Sequence, residues 1–361
     1  MSQISEIDKN LAVNATVCEN GIIFRNSLSD PFSLCGLLPA TPFLRLPLET
    51  AQNTNSGVEA LCRNTAGGRL RFKTDSKRIV LRVCYDGICH MSHMPLTGST
   101  GFDMYIYSNG GYSYAGSFIP PTDCKGDFNS EITLPDNSMR DITINFPLYN
   151  SVKTVFIGLE ENAKLLKTDG YINKEPIVYY GSSITQGGCA SRPGNSYQAI
   201  ISRRFNIDYV NLGFSGSARG EKAIAEYIAD LNMSLFFMDF DHNSPSAEHL
   251  KAHHENFFLT VREKNPDLPI IMATKTDIPR TPADVEHNRA HRAVVYETYE
   301  NALKRGDRNV MFIGGETVFT KALDLSAAAD CCTVDGCHPN DLGFACMAKV
   351  FGDAIEKMLN L

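Results

Sequence analysis

Pro176-Ile177-Val178-Tyr179-Tyr180-Gly181-Ser182-Ser183-Ile184-Thr185-Gln186-Gly187 begins as an unbroken apolar run and ends in a turn of Gly, Ser and Thr. A strand with one wet face alternates apolar and polar residues. A strand apolar at every position is buried on both faces, as in a parallel sheet covered by helices. The run therefore predicts a buried parallel strand that ends at Gly181. Downstream the rhythm repeats. Strands are expected at 209–212, 235–238, 269–273 and 309–313. Helices are expected at about 196–205, 221–231, 246–264, 284–304 and 342–359. In the second of these, Ala223, Ile224, Tyr227 and Ile228 make one apolar face. Alternating strands and helices imply a parallel sheet with helices on both sides.

The chain upstream reads differently. Between about residues 15 and 160, short runs rich in β-formers are broken by Gly, Asn, Asp and Pro. Examples are Arg69–Lys73, Arg78–Tyr85, Phe102–Tyr107, Asp141–Phe146 and Val152–Ile157. Ser108-Asn109-Gly110-Gly111, followed by Tyr112-Ser113-Tyr114, is a hairpin signal, because Asn-Gly supplies the positive φ values of a tight turn. With few helical periods between the runs, this half predicts a β-sandwich. The expected division is an N-terminal β-sandwich domain over 1–168 and an α/β domain over 169–361.

Composition narrows the function classes. The 361 residues include 34 basic and 41 acidic side chains, a net charge of −7, and no basic block, which argues against a general binder of nucleic acid or anionic membrane. Met1–Asn10 holds no apolar leader segment, and no apolar run reaches the roughly 18 residues of a membrane span. The 11 cysteines are scattered, which suits reduced thiols in a cytosolic protein. Self-association as a homo-oligomer is left open.

In open α/β sheets chemistry gathers beyond the carboxyl ends of the strands. There the sequence places Gly181-Ser182-Ser183-Ile184-Thr185, then Gly213-Phe214-Ser215-Gly216-Ser217, then Asp239-Phe240-Asp241-His242-Asn243. Near the C-terminus stands Asp335-Gly336-Cys337-His338-Pro339. A serine in a Gly-rich turn is usually just a turn, and a lone His is usually structural. Together they supply a hydroxyl nucleophile, amide donors for an oxyanion, and a base with a carboxylate three residues before it.

These blocks resemble those of the SGNH hydrolases of the GDSL esterase family over about residues 176–361. Gly181-Ser182-Ser183-Ile184-Thr185 is similar to the first block, with Ser183 at the nucleophile position. Gly216 falls at the oxyanion glycine, Asn243 at the third block's asparagine, and Asp335 and His338 on the final Asp-x-x-His. The first half resembles the β-rich domain that precedes some of these enzymes, whose Gly-x-Asp-Leu-Tyr motif reads here Gly101-Phe102-Asp103-Met104-Tyr105. Two departures stand out: Ser182 replaces the usual Asp, and Asp241-His242-Asn243-Ser244 replaces Gly-x-Asn-Asp. The resemblance implies a jelly-roll-like sandwich before a flavodoxin-like α/β/α layer structure.

The resemblance also implies a mechanism. His338 takes the proton of Ser183 as it attacks an ester, Asp335 orients the imidazole, and the Ser183 and Gly216 N–H groups and the Asn243 amide meet the oxyanion. Water then cleaves the acyl-enzyme. The substrate it favours is a small acetylated carbohydrate, with His93, Asp103, Arg192 and His242 as candidates to touch it. A general short-chain esterase, thioesterase or lipase using the same residues is the enzyme alternative. A noncatalytic sugar-binding protein built on a decayed hydrolase is the third class. Tyr105, Tyr107, Tyr112 and Tyr114 could stack on sugars, but cross-strand pairing is the preferred reading. No cofactor or metal is expected. Cys332, Cys337 and His338 lack zinc-finger spacing, and the His249/His253 and His287/His291 pairs read as solvated helix faces. Phosphate-loop patterns are absent from the sequence.

Overall fold

The computed structural model describes residues 17–40, 42–276, 278–279, 281–322 and 326–361. The reading of Met1–Asn10 lies outside them. Five parallel strands, Ile177–Gly181, Tyr209–Gly213, Leu235–Asp239, Ile270–Ala273 and Val310–Ile313, stand in the spatial order 2-1-3-4-5. The first strand shows why it is apolar throughout. Ile177 and Tyr179 enter a core with the helices Tyr197–Phe205 and Asp341–Leu359. Val178 and Tyr180 enter the opposite core, against Lys222–Ala229, Ala247–Lys264 and Pro282–Lys304. The last of these begins at Pro282, earlier than its apolar pattern suggests. Thr281 and Asp284 form a reciprocal capping box there, with Pro282 in the first turn.

The upstream half is a sandwich of two antiparallel sheets. One runs Val17–Glu19, Ile22–Asn26, Val152–Glu160, Arg78–Tyr85, Asp127–Thr133. The other runs Leu165–Leu166, Arg69–Thr74, Arg140–Asn145, Phe102–Ser108, Gly111–Phe118, with Ser33–Cys35 also paired to Arg69–Thr74. The hairpin turn at Asn109 and Gly110 takes φ of 51° and 78°, as the Asn-Gly signal requires. Sequence reasoning missed Asp127–Thr133, an edge strand that buries only Phe128 and Ile132 and keeps its other positions polar. No helix among the described residues is long and apolar enough to cross a membrane.

Sequence reasoning also missed the helices Leu48–Thr54 and Ser56–Leu61. They do not belong to the sandwich core. Ala51, Val58 and Cys62 pack with Val178, Tyr180, Leu212 and Phe214 on one face of the parallel sheet, and Ala66, Met94, Leu148 and Tyr149 join the core of the other face. A cut at residue 168 separates the sheets but not the cores.

Arg45 shows how firmly the halves are joined. Its side chain is buried, with Nη1 donating to the carbonyls of Gly213 and, at 3.3 Å, Asn211, and Nη2 to that of Leu61 at 2.7 Å. The guanidinium lies over the Phe214 ring, 4.5 Å from its centroid. Burial pulls its pKa down to about 10, which leaves it charged at neutral pH. Arg45→Met is expected to leave these carbonyls without their donors and to cost about 2–4 kcal/mol in urea unfolding. A loss below about 0.5 kcal/mol would show that water serves them equally well.

Candidate active site

The turn that carries Ser183 is fixed from below. Ser183 opens the single helical turn Ser183–Gln186, and Ser182 caps it by accepting from the Ile184 N–H at 3.2 Å. Serine thus performs at 182 the capping that an Asp could, without adding a charge. Thr185 Oγ1 lies 2.5 Å from Asp239 Oδ1, and Tyr197 Oη 3.1 Å from Oδ2. Burial pushes the Asp239 carboxyl up to about 8, so it is neutral at pH 7 and the link buries no charge. Gly213 must be glycine here, since a Cβ would stand 2.2 Å from the Gln186 nitrogen. Gln186 itself is buried, donating to Leu148 O at 3.1 Å and accepting from the Ser215 N–H at 3.0 Å.

Three groups, one from the middle of the chain and two from near its C-terminus, then form one hydrogen-bonded line. Ser183 Oγ is 3.0 Å from His338 Nε2, and His338 Nδ1 is 2.8 Å from Asp335 Oδ2. The second Asp335 oxygen accepts from the N–H groups of Cys337 at 2.9 Å and His338 at 2.7 Å, which folds the turn and aims the carboxylate at the ring. Burial pushes the Asp335 carboxyl up, but these hydrogen bonds outweigh it and hold it down at about 2. The Cys337 side chain beside it pushes His338 up to about 9; burial opposes this and Asp335 reinforces it.

Gly216 is exposed, with φ of 66°, in the turn after the second strand. Asn243 closes a short 3-10 turn after the third strand and donates through Nδ2 to Phe214 O at 3.0 Å. That same carbonyl accepts from Ser217 N at 3.0 Å and Ala218 N at 3.2 Å. Asn243 is thereby tied to the Gly216 turn, and its amide keeps a second N–H.

The other candidates divide. His93 is exposed, on a loop of the N-terminal half, with its ring 5.7 Å from that of His338. Asp103 is fully buried and does not face a ligand. Its carboxylate accepts from Asn145 Nδ2 at 2.7 Å, Arg192 Nη1 at 2.8 Å and Gly194 N at 2.9 Å. Arg192 also donates to Tyr105 Oη and lies over the Tyr114 ring. Asp103 and Arg192 therefore clamp the 191–195 loop onto the sandwich, because a buried carboxylate must spend its lone pairs on fixed donors. His242 turns to Cys337, with Nε2 3.1 Å from Sγ.

The tyrosines form cross-strand pairs, Tyr105 with Tyr114 and Tyr107 with Tyr112, at centroid distances of 5.7 and 4.7 Å. The His287/His291 pair is not a solvated face. His291 is buried, its Nδ1 2.9 Å from His287 O and its Nε2 3.3 Å from Ser244 O. Tyr149, whose Oη donates to Ser183 O at 3.2 Å, and Gln186 carried no sequence signal, because both act through contacts set by folding.

With this geometry in place, comparison with known proteins settles the family. The profile of the GDSL-like lipase/acylhydrolase family matches residues 174–357, more than half of the chain. The chain belongs to this family. As a GDSL-like hydrolase it is an ester-hydrolysing enzyme by descent. Its residues 24–165 match the N-terminus of SGNH-hydrolase-type esterases. No curated protein matches it. Among solved structures it is similar to one described as a GDSL-like lipase from Bacteroides ovatus ATCC 8483, at 28% identity and TM-score 0.83, covering 94% of this chain and 98% of that one. The fold is shared with a salicylyl-acyltransferase from a tetracycline biosynthetic pathway, at 21% identity and TM-score 0.74, over 92% of this chain and 96% of that one. It is also shared with an acetyl xylan esterase from Butyrivibrio proteoclasticus, at 11% identity and TM-score 0.59, over 93% and 99%.

The electrostatics of this GDSL-like hydrolase set a pH dependence. If His338 takes the Ser183 proton its ring must be neutral, and Cys337 and Asp335 push its pKa up to about 9. A raised value means the active form is scarce below it. Accordingly kcat/KM on a chromogenic acetate should rise about tenfold per unit between about pH 6 and 8. A flat profile over that interval would show that His338 titrates lower or is not the base.

Proposed function

We propose that this enzyme is a serine esterase that removes O-acetyl groups from soluble carbohydrate through an acyl-Ser183 intermediate. The observation that carries the reading is the hydrogen-bonded line Ser183 Oγ–His338 Nε2, His338 Nδ1–Asp335 Oδ2, at 3.0 and 2.8 Å. In this reading His338 takes the hydroxyl proton as Ser183 attacks and returns it to the leaving sugar oxygen. Asp335, ionised and pinned by two backbone N–H groups, holds the tautomer and stabilises the imidazolium. The N–H groups of Ser183 and Gly216 and the free N–H of Asn243 receive the oxyanion. Deacylation reverses the roles, with water in place of the sugar.

Carbohydrate is supported by the fold shared with acetyl xylan and cellohexaose-bound carbohydrate esterases. All eleven cysteines are free thiols, which supports a reducing cytosolic setting. His93, exposed near His338, is the substrate contact offered by the N-terminal half.

Ser183→Ala is expected to abolish turnover in a folded protein, whereas Ser182→Ala loses far less; equal losses would move the nucleophile assignment. Asn243→Ala should lower kcat by about 10²–10³ with little change in KM, the mark of a donor used only in the transition state. A fall below about threefold would leave Asn243 a purely structural tie.

The substrate is tested by measuring acetate release from acetylated oligosaccharides beside hydrolysis of chromogenic esters of increasing acyl length. Preference for acetyl on sugar supports the proposal. Preference for longer chains selects the general acyl-esterase or lipase alternative.

A further inference from the structure

Cys337 stands between two imidazoles from distant parts of the chain. His242 Nε2 is 3.1 Å from its sulfur, and ligand-capable atoms of Asp335, Cys337 and His338 all lie within 4.8 Å of one another. His242 Nδ1 is buried with no hydrogen-bond partner among the described residues. The hydrolytic mechanism gives His242 no task, and Cys337 none beyond raising the pKa of His338.

Two imidazoles, a thiol and a carboxylate are the donor set of a borderline-soft divalent cation. Donors around tetrahedral zinc stand about 3.3–3.8 Å apart, from bonds of about 2.0–2.3 Å. The Asp335, Cys337 and His338 atoms lie within 4.8 Å of one another, so side chains must close in on a metal, and Asp335 is exposed enough to move. We propose that Cys337 Sγ, His242 Nε2, a ring nitrogen of His338 and the Asp335 carboxylate form an inhibitory site for a zinc-class cation. This rests on the reading of His338 as the catalytic base.

Binding involves no electron transfer. The Cys337 S–H bond and one His338 N–H bond break, both protons pass to solvent, a sulfur–metal bond forms, and the imidazole lone pairs replace metal-bound water. Whichever nitrogen of His338 turns to the metal, catalysis loses a bond. Nε2 is the atom that meets Ser183, and Nδ1 the atom that meets Asp335. Hard cations such as Mg²⁺ and Ca²⁺ prefer oxygen and leave the site alone.

The test uses the full chain on a chromogenic acetate in buffered free Zn²⁺, with each protein referred to its own metal-free rate. Wild type is expected to lose about tenfold or more of its rate and to regain it with EDTA, while Cys337→Ala and His242→Gln need about tenfold or more metal for the same effect. In parallel, Cd²⁺ titration follows the thiolate-to-metal charge-transfer absorbance, expected at one equivalent in wild type and missing in Cys337→Ala. Equal inhibition of all three proteins, or a Cd²⁺ signal independent of Cys337, overturns the site. A metal-free enzyme inactive on every ester, yet showing the Cys337-dependent Cd²⁺ signal, overturns the hydrolase reading and leaves the metal site standing.

Discussion

Gly181 stands level with Gly213 on one side and with Asp239 on the other. Three adjacent parallel strands therefore end at one height, and the site hangs from that register. Ser183 follows Gly181, Gly216 follows Gly213, and Asn243 follows Asp239, each within a few residues. A short excursion beyond a level edge leaves little freedom, so the turns that carry Ser183, Gly216 and Asn243 are neighbours by construction. The Thr185–Asp239 and Asn243–Phe214 bonds then lock each turn to the next strand's end. Had Asp239 been ionised in its buried place, that lock would carry a large desolvation penalty; held neutral, it carries little.

The N-terminal half works as a foundation for this edge rather than as an appended module. Arg45 holds the carbonyls at the end of the second strand, and Tyr149 and Leu148 meet Ser183 and Gln186 from beneath. Asp103 and Arg192 join the Gly101–Tyr105 motif to the loop that follows the nucleophile turn. Thr97 Oγ1 adds a bond to Ser191 O at 2.6 Å in the same seam. Catalytic groups need to be held within a fraction of an ångström, and rigid support on several sides is what provides it. The same docking brings His93 beside His338.

Both departures from the family's pattern have a physical place. Ser182 caps the turn that an Asp would cap. His242 meets Cys337, which makes the Asp335–His338 turn richer in metal-binding atoms than hydrolysis requires.

The local code was legible where one segment carries its own reason. An apolar run buried on both faces, an Asn-Gly turn, an Asp three residues before a His, and a serine at a strand end can each be read from neighbours in sequence. So the parallel sheet, the hairpin and the meeting of Ser183, His338 and Asp335 came from the chain alone, as did the cross-strand reading of the tyrosines. The helices Leu48–Thr54 and Ser56–Leu61 did not, because short helices are decided by the surface they pack on, here a sheet more than a hundred residues away. Asp103 and Arg192 looked like substrate contacts, since a charged residue near a motif has the same appearance whether it meets a ligand or a buried partner. Only tertiary structure tells the two apart, because burial and pairing are properties of distant residues brought together, and no spacing in the sequence records them.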